Sequence, residues 1–137
     1  MNHPDTAASR LQSATEELRT KETILQRASA NLNKLQLSDS PQSEEVLAQA
    51  ELGVAKAELG VAKAKLGVAE AKEAVPGNIA VLRGEVAKAE WGVASAKEAL
   101  AKAKNEDQGV LRSLQSDINA WRAAYEKTLS GQLSAPH

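Results

Sequence analysis

The amino-acid sequence predicts an all-α fold: an elongated antiparallel up-down-up three-helix coiled-coil bundle or layer, whose third helix is long or followed by a short fourth helix. Three observations carry this prediction. A heptad repeats on both sides of Pro76, as EVLAQAE, LGVAKAE, LGVAKAK, LGVAEAK over 45–72 and as GNIAVLR, GEVAKAE, WGVASAK, EALAKAK over 77–104. Upstream, Leu11, Leu18, Leu25 and Leu32 recur at intervals of seven, the spacing of a coiled-coil seam. The apolar content is alanine, valine and leucine, with no phenylalanine and only Trp91, Trp121 and Tyr125 as aromatics. Such a chain builds long helices in close contact rather than a thick core, because aromatics supply much of the buried area in ordinary cores. One helical domain over 1–130 and a disordered tail over 131–137 are expected.

Helix 1 is predicted over about 5–37. Asp5 or Thr6 is suited to its N-cap, and Ala14, Ala28 and Leu35 follow three of the seam leucines at a spacing of three. Lys21 takes that place after Leu18, a weak point solvated at the edge of the seam. Ser38-Asp39-Ser40-Pro41 ends the helix, with Asp39 or Ser40 as cap of the next.

Helix 2 is predicted over about 41–75, stopping where Pro76-Gly77-Asn78 removes a donor and supplies a residue able to take positive φ. Helix 3 runs over about 78–104, with an apolar three-four alternation through Ile79, Leu82, Val86, Ala89, Val93, Ala96, Leu100 and Ala103. After the polar stretch 105–109 the pattern resumes at Leu111, Leu114, Ile118, Trp121, Tyr125 and Leu129. Only Gly109 in that stretch is a poor helix former, so continuation of helix 3 to about 129 is preferred over a restart near Gln108.

The heptad of helix 2 has two apolar faces. At 100° per residue, Leu52, Ala55, Leu59, Ala62, Leu66 and Ala69 share one face, and Val54, Ala57, Val61, Ala64, Val68 and Ala71 share another roughly 150° away. Two nearly opposite stripes imply neighbours on both sides and make helix 2 the middle helix. Matching like with like, the valine face is expected to meet Ile79, Val86, Val93 and Leu100 of helix 3, and the leucine face to meet the leucine seam of helix 1. Gly53, Gly60, Gly67 and Gly92 recur beside these faces. They read either as a groove for close approach of another helix or as one tolerated glycine copied with its heptad.

Trp91 breaks the second array on the face that helix 2 leaves free, among Gly84, Ala87 and Ala94. Trp121 and Tyr125 form a second patch with Leu114 and Ile118. These eight residues are the candidate partner contacts, since aromatic anchors are enriched at interface hot spots. The alternative is intramolecular, with Trp91 packed on helix 1 and the C-terminal segment folded back over the bundle.

Composition excludes more than it names. Seventeen basic and eighteen acidic residues give a net charge of −1, and without a basic block no nucleic-acid partner is expected. There is no cysteine, and His3 and His137 lie in the terminal segments, so no catalytic, cofactor-binding or metal-binding residues and no cofactor are expected. Neighbouring carboxylates such as Glu16-Glu17 diverge by about 100° on a helix and cannot act as one dyad. No run approaches the ~20 apolar residues of a membrane span, and the N-terminus has no signal-peptide apolar segment. A cytoplasmic or nuclear protein is expected, with secretion after removal of a leader left open.

The functional expectation is a non-enzymatic helical protein–protein interaction or assembly module, a scaffold or adaptor whose partner is another protein or a second copy. A membrane- or lipid-surface-active bundle is the alternative, and the alternation of lysine with glutamate argues against it. Ala50-Glu51-Leu52-Gly53-Val54-Ala55-Lys56-Ala57 and its repeats resemble the alanine-rich helical hairpins of bacterial periplasmic adaptor proteins, and similar repeats occur in many eukaryotic coiled-coil proteins. The likeness is compositional and covers 45–104. Those adaptors flank their hairpin with β-rich lipoyl-like segments, whereas both flanks here are helical, so no transport function is implied.

Overall fold

The computed structural model of the chain describes residues 7–38 and 43–134. They form four helices and, among the described residues, no strand: α1 (Ala7–Gln36), α2 (Glu44–Ala71), α3 (Pro76–Ala103) and α4 (Gln108–Ser134). The preferred long third helix is therefore corrected to the alternative, a fourth helix restarting at Gln108, and α4, at 27 residues, is not short but close to its neighbours in length. Its helix reaches Ser134, into the segment expected to be a disordered tail. Asp5, Thr6, Asp39 and Ser40, the expected caps of the first two helices, lie outside the described residues.

Each helix start has a local cause. Ser43 caps α2, its Oγ accepting the Val46 N–H at 3.2 Å, and Glu44 and Glu45 place negative charge at the positive end of the helix dipole. Asp107 does the same for α4, its Oδ1 accepting the Val110 N–H at 3.0 Å. For α3 there is no side-chain cap. Its first residue is Pro76, whose missing N–H is one that the first turn leaves unpaired anyway.

The helix ends correct two expectations. At the end of α2 the Glu73 N–H donates to the Glu70 carbonyl at 3.1 Å and the Ala74 N–H to the Ala69 carbonyl at 3.0 Å, with Glu73 at φ 55°. This is a Schellman stop, built on a left-handed glutamate. Gly77, expected to supply the positive φ, sits instead in the first turn of α3, where no glycine has positive φ. The same stop recurs at the end of α3: Asn105 has φ 58°, its N–H donates to the Lys102 carbonyl at 3.1 Å, and the Glu106 N–H donates to the Ala101 carbonyl at 2.9 Å. Helix 3 thus ends at Ala103 and does not run on to 129.

Consecutive helices pack on one another, α1 on α2, α2 on α3 and α3 on α4, and among the described residues no other pair of helices packs together. Every buried apolar residue among them belongs to α2 or α3, including Leu52, Val61, Val93 and Leu100. This follows from position, since α2 and α3 have neighbours on two sides and α1 and α4 on one.

Both faces of α2 are covered, but by the opposite neighbours from those expected. Ala48, Leu52 and Ala55, with Leu59, pack with Val93, Ala96, Leu100 and Ala103 of α3. The leucine face of α2 thus meets the valine-equivalent face of α3. The valine face of α2 turns to α1: Ala14 shares a cleft with Ala64, Leu25 with Val61, and Ala28 and Leu35 with Ala50. Ala57, Val61 and Ala64 on that face are buried.

Candidate functional site

The candidate contact residues are brought together along the contact between α3 and α4. Ring centroids of Trp91 and Tyr125 lie 6.1 Å apart with planes tilted by 38°, within the range in which aromatic rings attract. Gly84, Ala87 and Ala94 are buried on the same face of α3, while Leu114 and Ile118 of α4 are half-buried. Trp121 remains 37 % exposed at the edge of the seam. The partner of Trp91 within the chain is therefore α4. Helix 1, the intramolecular partner expected for it, does not pack on α3 at all.

A second feature lies between α1 and α2. Ala14, Glu17 and Lys21 face Lys56, Leu59, Gly60, Lys63, Ala64 and Gly67 across an open cleft. Three ammonium groups and one carboxylate thus ring a floor that glycine keeps low. A Cβ placed on Gly60 would lie 3.3 Å from Cδ of Lys21, so the lysine stem runs across the glycine. Its methylenes cover apolar surface while the charge reaches water. Among the described residues no ion pair engages Lys21, Lys56 or Lys63; the pairs formed are Lys102–Glu98 at 3.4 Å and Arg122–Glu126 at 3.6 Å, each one turn apart on its own helix.

No protein-family model, curated protein or solved structure matches this chain.

The lysine cleft is the feature that sequence reasoning missed. Lys56 and Lys63 occupy one heptad position seven residues apart, a signal present in the repeat, but Lys21 reads as a defect in the leucine seam. Only the packing of α1 on the valine face brings the three together. The glycine row reads differently once placed. A Cβ on Gly53, Gly67 or Gly92 would meet nothing within 4 Å, so no helix of this chain approaches closely there. Among the described residues no three carboxylate, imidazole or thiol groups are grouped to hold a metal ion. No described helix is long and apolar enough to cross a membrane.

Proposed function

We propose that the chain is a non-enzymatic helical interaction module, an antiparallel up-down coiled-coil layer that presents a ridged, charged surface to another protein. The observation supporting this most directly is the cleft between α1 and α2, where Lys21, Lys56 and Lys63 stand around Gly60 and Gly67 with Glu17 as the one acidic group. Such a cleft suits acidic side chains on a partner helix. Partly exposed charges of this kind set association rate and partner choice more than raw affinity. The buried apolar faces of α2 and α3 are used in folding, and the polar ridges beside them are free for recognition.

The test compares proximity labelling by the full chain with labelling by a Lys56→Glu/Lys63→Glu variant of equal helicity. A set of labelled proteins that the variant loses supports the reading, and identical sets overturn it. Flotation with anionic vesicles separates the lipid-surface alternative. The folded chain is expected to stay with the soluble fraction, and robust flotation would transfer the reading to membranes.

A further inference from the structure

The lysine cleft is one half of a longer groove between α1 and α2. Because the sequence repeats every seven residues, the surface continues from the cleft toward the start of α2 with the same walls and floor. Gln49 extends the wall of Lys56 and Lys63, and Gly53 extends the floor of Gly60 and Gly67. On the α1 side, Glu17 lines the basic half and Asn31 the other, with Ile24 seven residues from each on the same stripe. The two halves differ in chemistry. Over Gly60 and Gly67, Lys21, Lys56 and Lys63 outnumber the single carboxylate of Glu17, and among the described residues none of the three is paired. Over Gly53 the surface is apolar, with Ala28, Leu35, Val46 and Ala50, and its two charges, Glu45 and Lys104, are opposite in sign. Ile24 and Val46, 44 % and 41 % exposed, are left facing water at this end. The cleft on the opposite side of the layer has no such polarity, since Glu58 and Glu85 there match Lys65 and Lys88.

We infer that this groove receives one helix of a partner protein, apolar at the end over Ile24 and Val46 and acidic at the end over Lys56 and Lys63. The inference rests on the proposed function and adds the partner's form, length and chemical polarity. The form follows from the recess between two helices: a third helix packs its ridges into such a channel, whereas a bilayer would touch only the rims. From Val46 to Gly67 the groove runs along 21 residues of α2, about 31 Å, so a partner helix of about 21 residues fills it. Lys56 and Lys63 stand seven residues apart, and carboxylates one heptad apart on the partner meet both at once. Lys21 reaches the interval between them, since its stem crosses Gly60. At the other end, covering Ile24 and Val46 removes apolar surface from water, a gain that exposed ion pairs do not supply. An acidic segment alone would leave those two side chains wet. A wholly apolar one would cover the lysines without pairing them. One helix carrying both kinds of residue, in that order along the groove, satisfies it.

The test uses the full chain and a fluorescent, alanine-based helical peptide of about 21 residues, with leucines at helical spacing in one half and glutamates in the other. Fluorescence anisotropy should find saturable binding that two variants weaken separately. Ile24→Gln/Val46→Gln, at exposed positions outside the core, should raise Kd about tenfold or more. Lys56→Glu/Lys63→Glu should raise it about a hundredfold and abolish its dependence on salt. A peptide with glutamine in place of leucine should bind the wild type as weakly as the first peptide binds Ile24→Gln/Val46→Gln. The chain has no cysteine, so single variants report position. On mild oxidation, a cysteine at the apolar end of the peptide should cross-link to Asn31→Cys and not to Glu17→Cys. No saturable binding up to millimolar peptide, equal Kd for the wild type and Ile24→Gln/Val46→Gln, or cross-linking at both positions alike overturns the inference. Displacement of the peptide by anionic vesicles would also overturn it, a membrane then being the occupant. Should the charge variant lose helicity, Ile24→Gln/Val46→Gln and the leucine-free peptide decide the matter alone. Failure here is distinct from failure of the proposed function. Proximity labelling that Lys56→Glu/Lys63→Glu loses and Ile24→Gln/Val46→Gln keeps in full would leave the interaction module standing and remove the half-apolar helix.

Discussion

Replacing Gly53, Gly67 and Gly92 by alanine should stabilise the protein. Each glycine lies inside a helix, where it is about 1 kcal/mol less favourable than alanine, and a Cβ at each would meet nothing within 4 Å. Gly53 and Gly67 are 14 residues apart on one helix, roughly 21 Å, so their effects should add. The triple variant should then gain about 3 kcal/mol, which for a domain of this size raises Tm by roughly 10 °C. Gly60→Ala should gain less, because its Cβ must push the Lys21 stem aside from 3.3 Å. Thermal unfolding followed by circular dichroism is the assay. An unchanged or lower Tm for the triple variant would mean that something outside the chain covers the glycine row, and the duplication account of these glycines would have to be given up.

Three further outcomes are expected. Leu52→Ala, at a residue 5 % exposed between α2 and α3, should cost about 3 kcal/mol in urea unfolding, while Val46→Ala, 41 % exposed, should cost under about 0.5. Glu73→Gly should relieve the left-handed turn and, after the added freedom of the unfolded chain, stabilise by about 0.5–1 kcal/mol; a loss of stability in the same assay would contradict the Schellman stop. Val61→Asp and Leu59→Asp should both damage packing, but differently under hydrogen exchange. The first should deprotect α1 and the second the α2–α3 contact, and protection unchanged in either variant would mean that its face is uncovered.

Helix existence and the two-sided nature of α2 were readable in the residues because the repeat is nearly perfect there. The α3–α4 break was legible only as the less favoured of two readings, a restart near Gln108. Lys104-Asn105-Glu106-Asp107 holds neither proline nor glycine, so its stop signals are soft ones. Its local signals are an asparagine that tolerates left-handed φ and an aspartate that caps α4, and folding back adds the tertiary gain of covering the Trp91 face. Nor was the third copy of the repeat evident. In α4 the positions equivalent to Leu52 and Leu59 are Ser116 and Ala123, so the leucine signal is gone, while the valine-equivalent positions keep Leu111, Ile118 and Tyr125. The lysine cleft needed a correct assignment of helix faces, and matching like with like led that assignment astray.

The reason like does not meet like is geometric. Identical stops follow α2 and α3, so one operation carries α2 onto α3 and α3 onto α4. Under one repeated operation, the face a helix turns to its successor must be the same face every time, and the face it meets must be the other. Leucine must therefore meet valine at α2–α3, and the leucine-equivalent face of α3, with Trp91, must meet the valine-equivalent face of α4, with Tyr125. Leucine on leucine and valine on valine would need turns of two alternating kinds. The same rule explains why the stack ends where it does. Helix α1 carries only the leucine-type face, with Ser13, Glu16, Thr20 and Thr23 opposite, and α4 carries only the valine-type face, with Ser116, Asn119 and Glu126 opposite. A stack of two-faced units is open-ended until one-faced units close it, as terminal repeats do in solenoids. Here both closures lie within one chain.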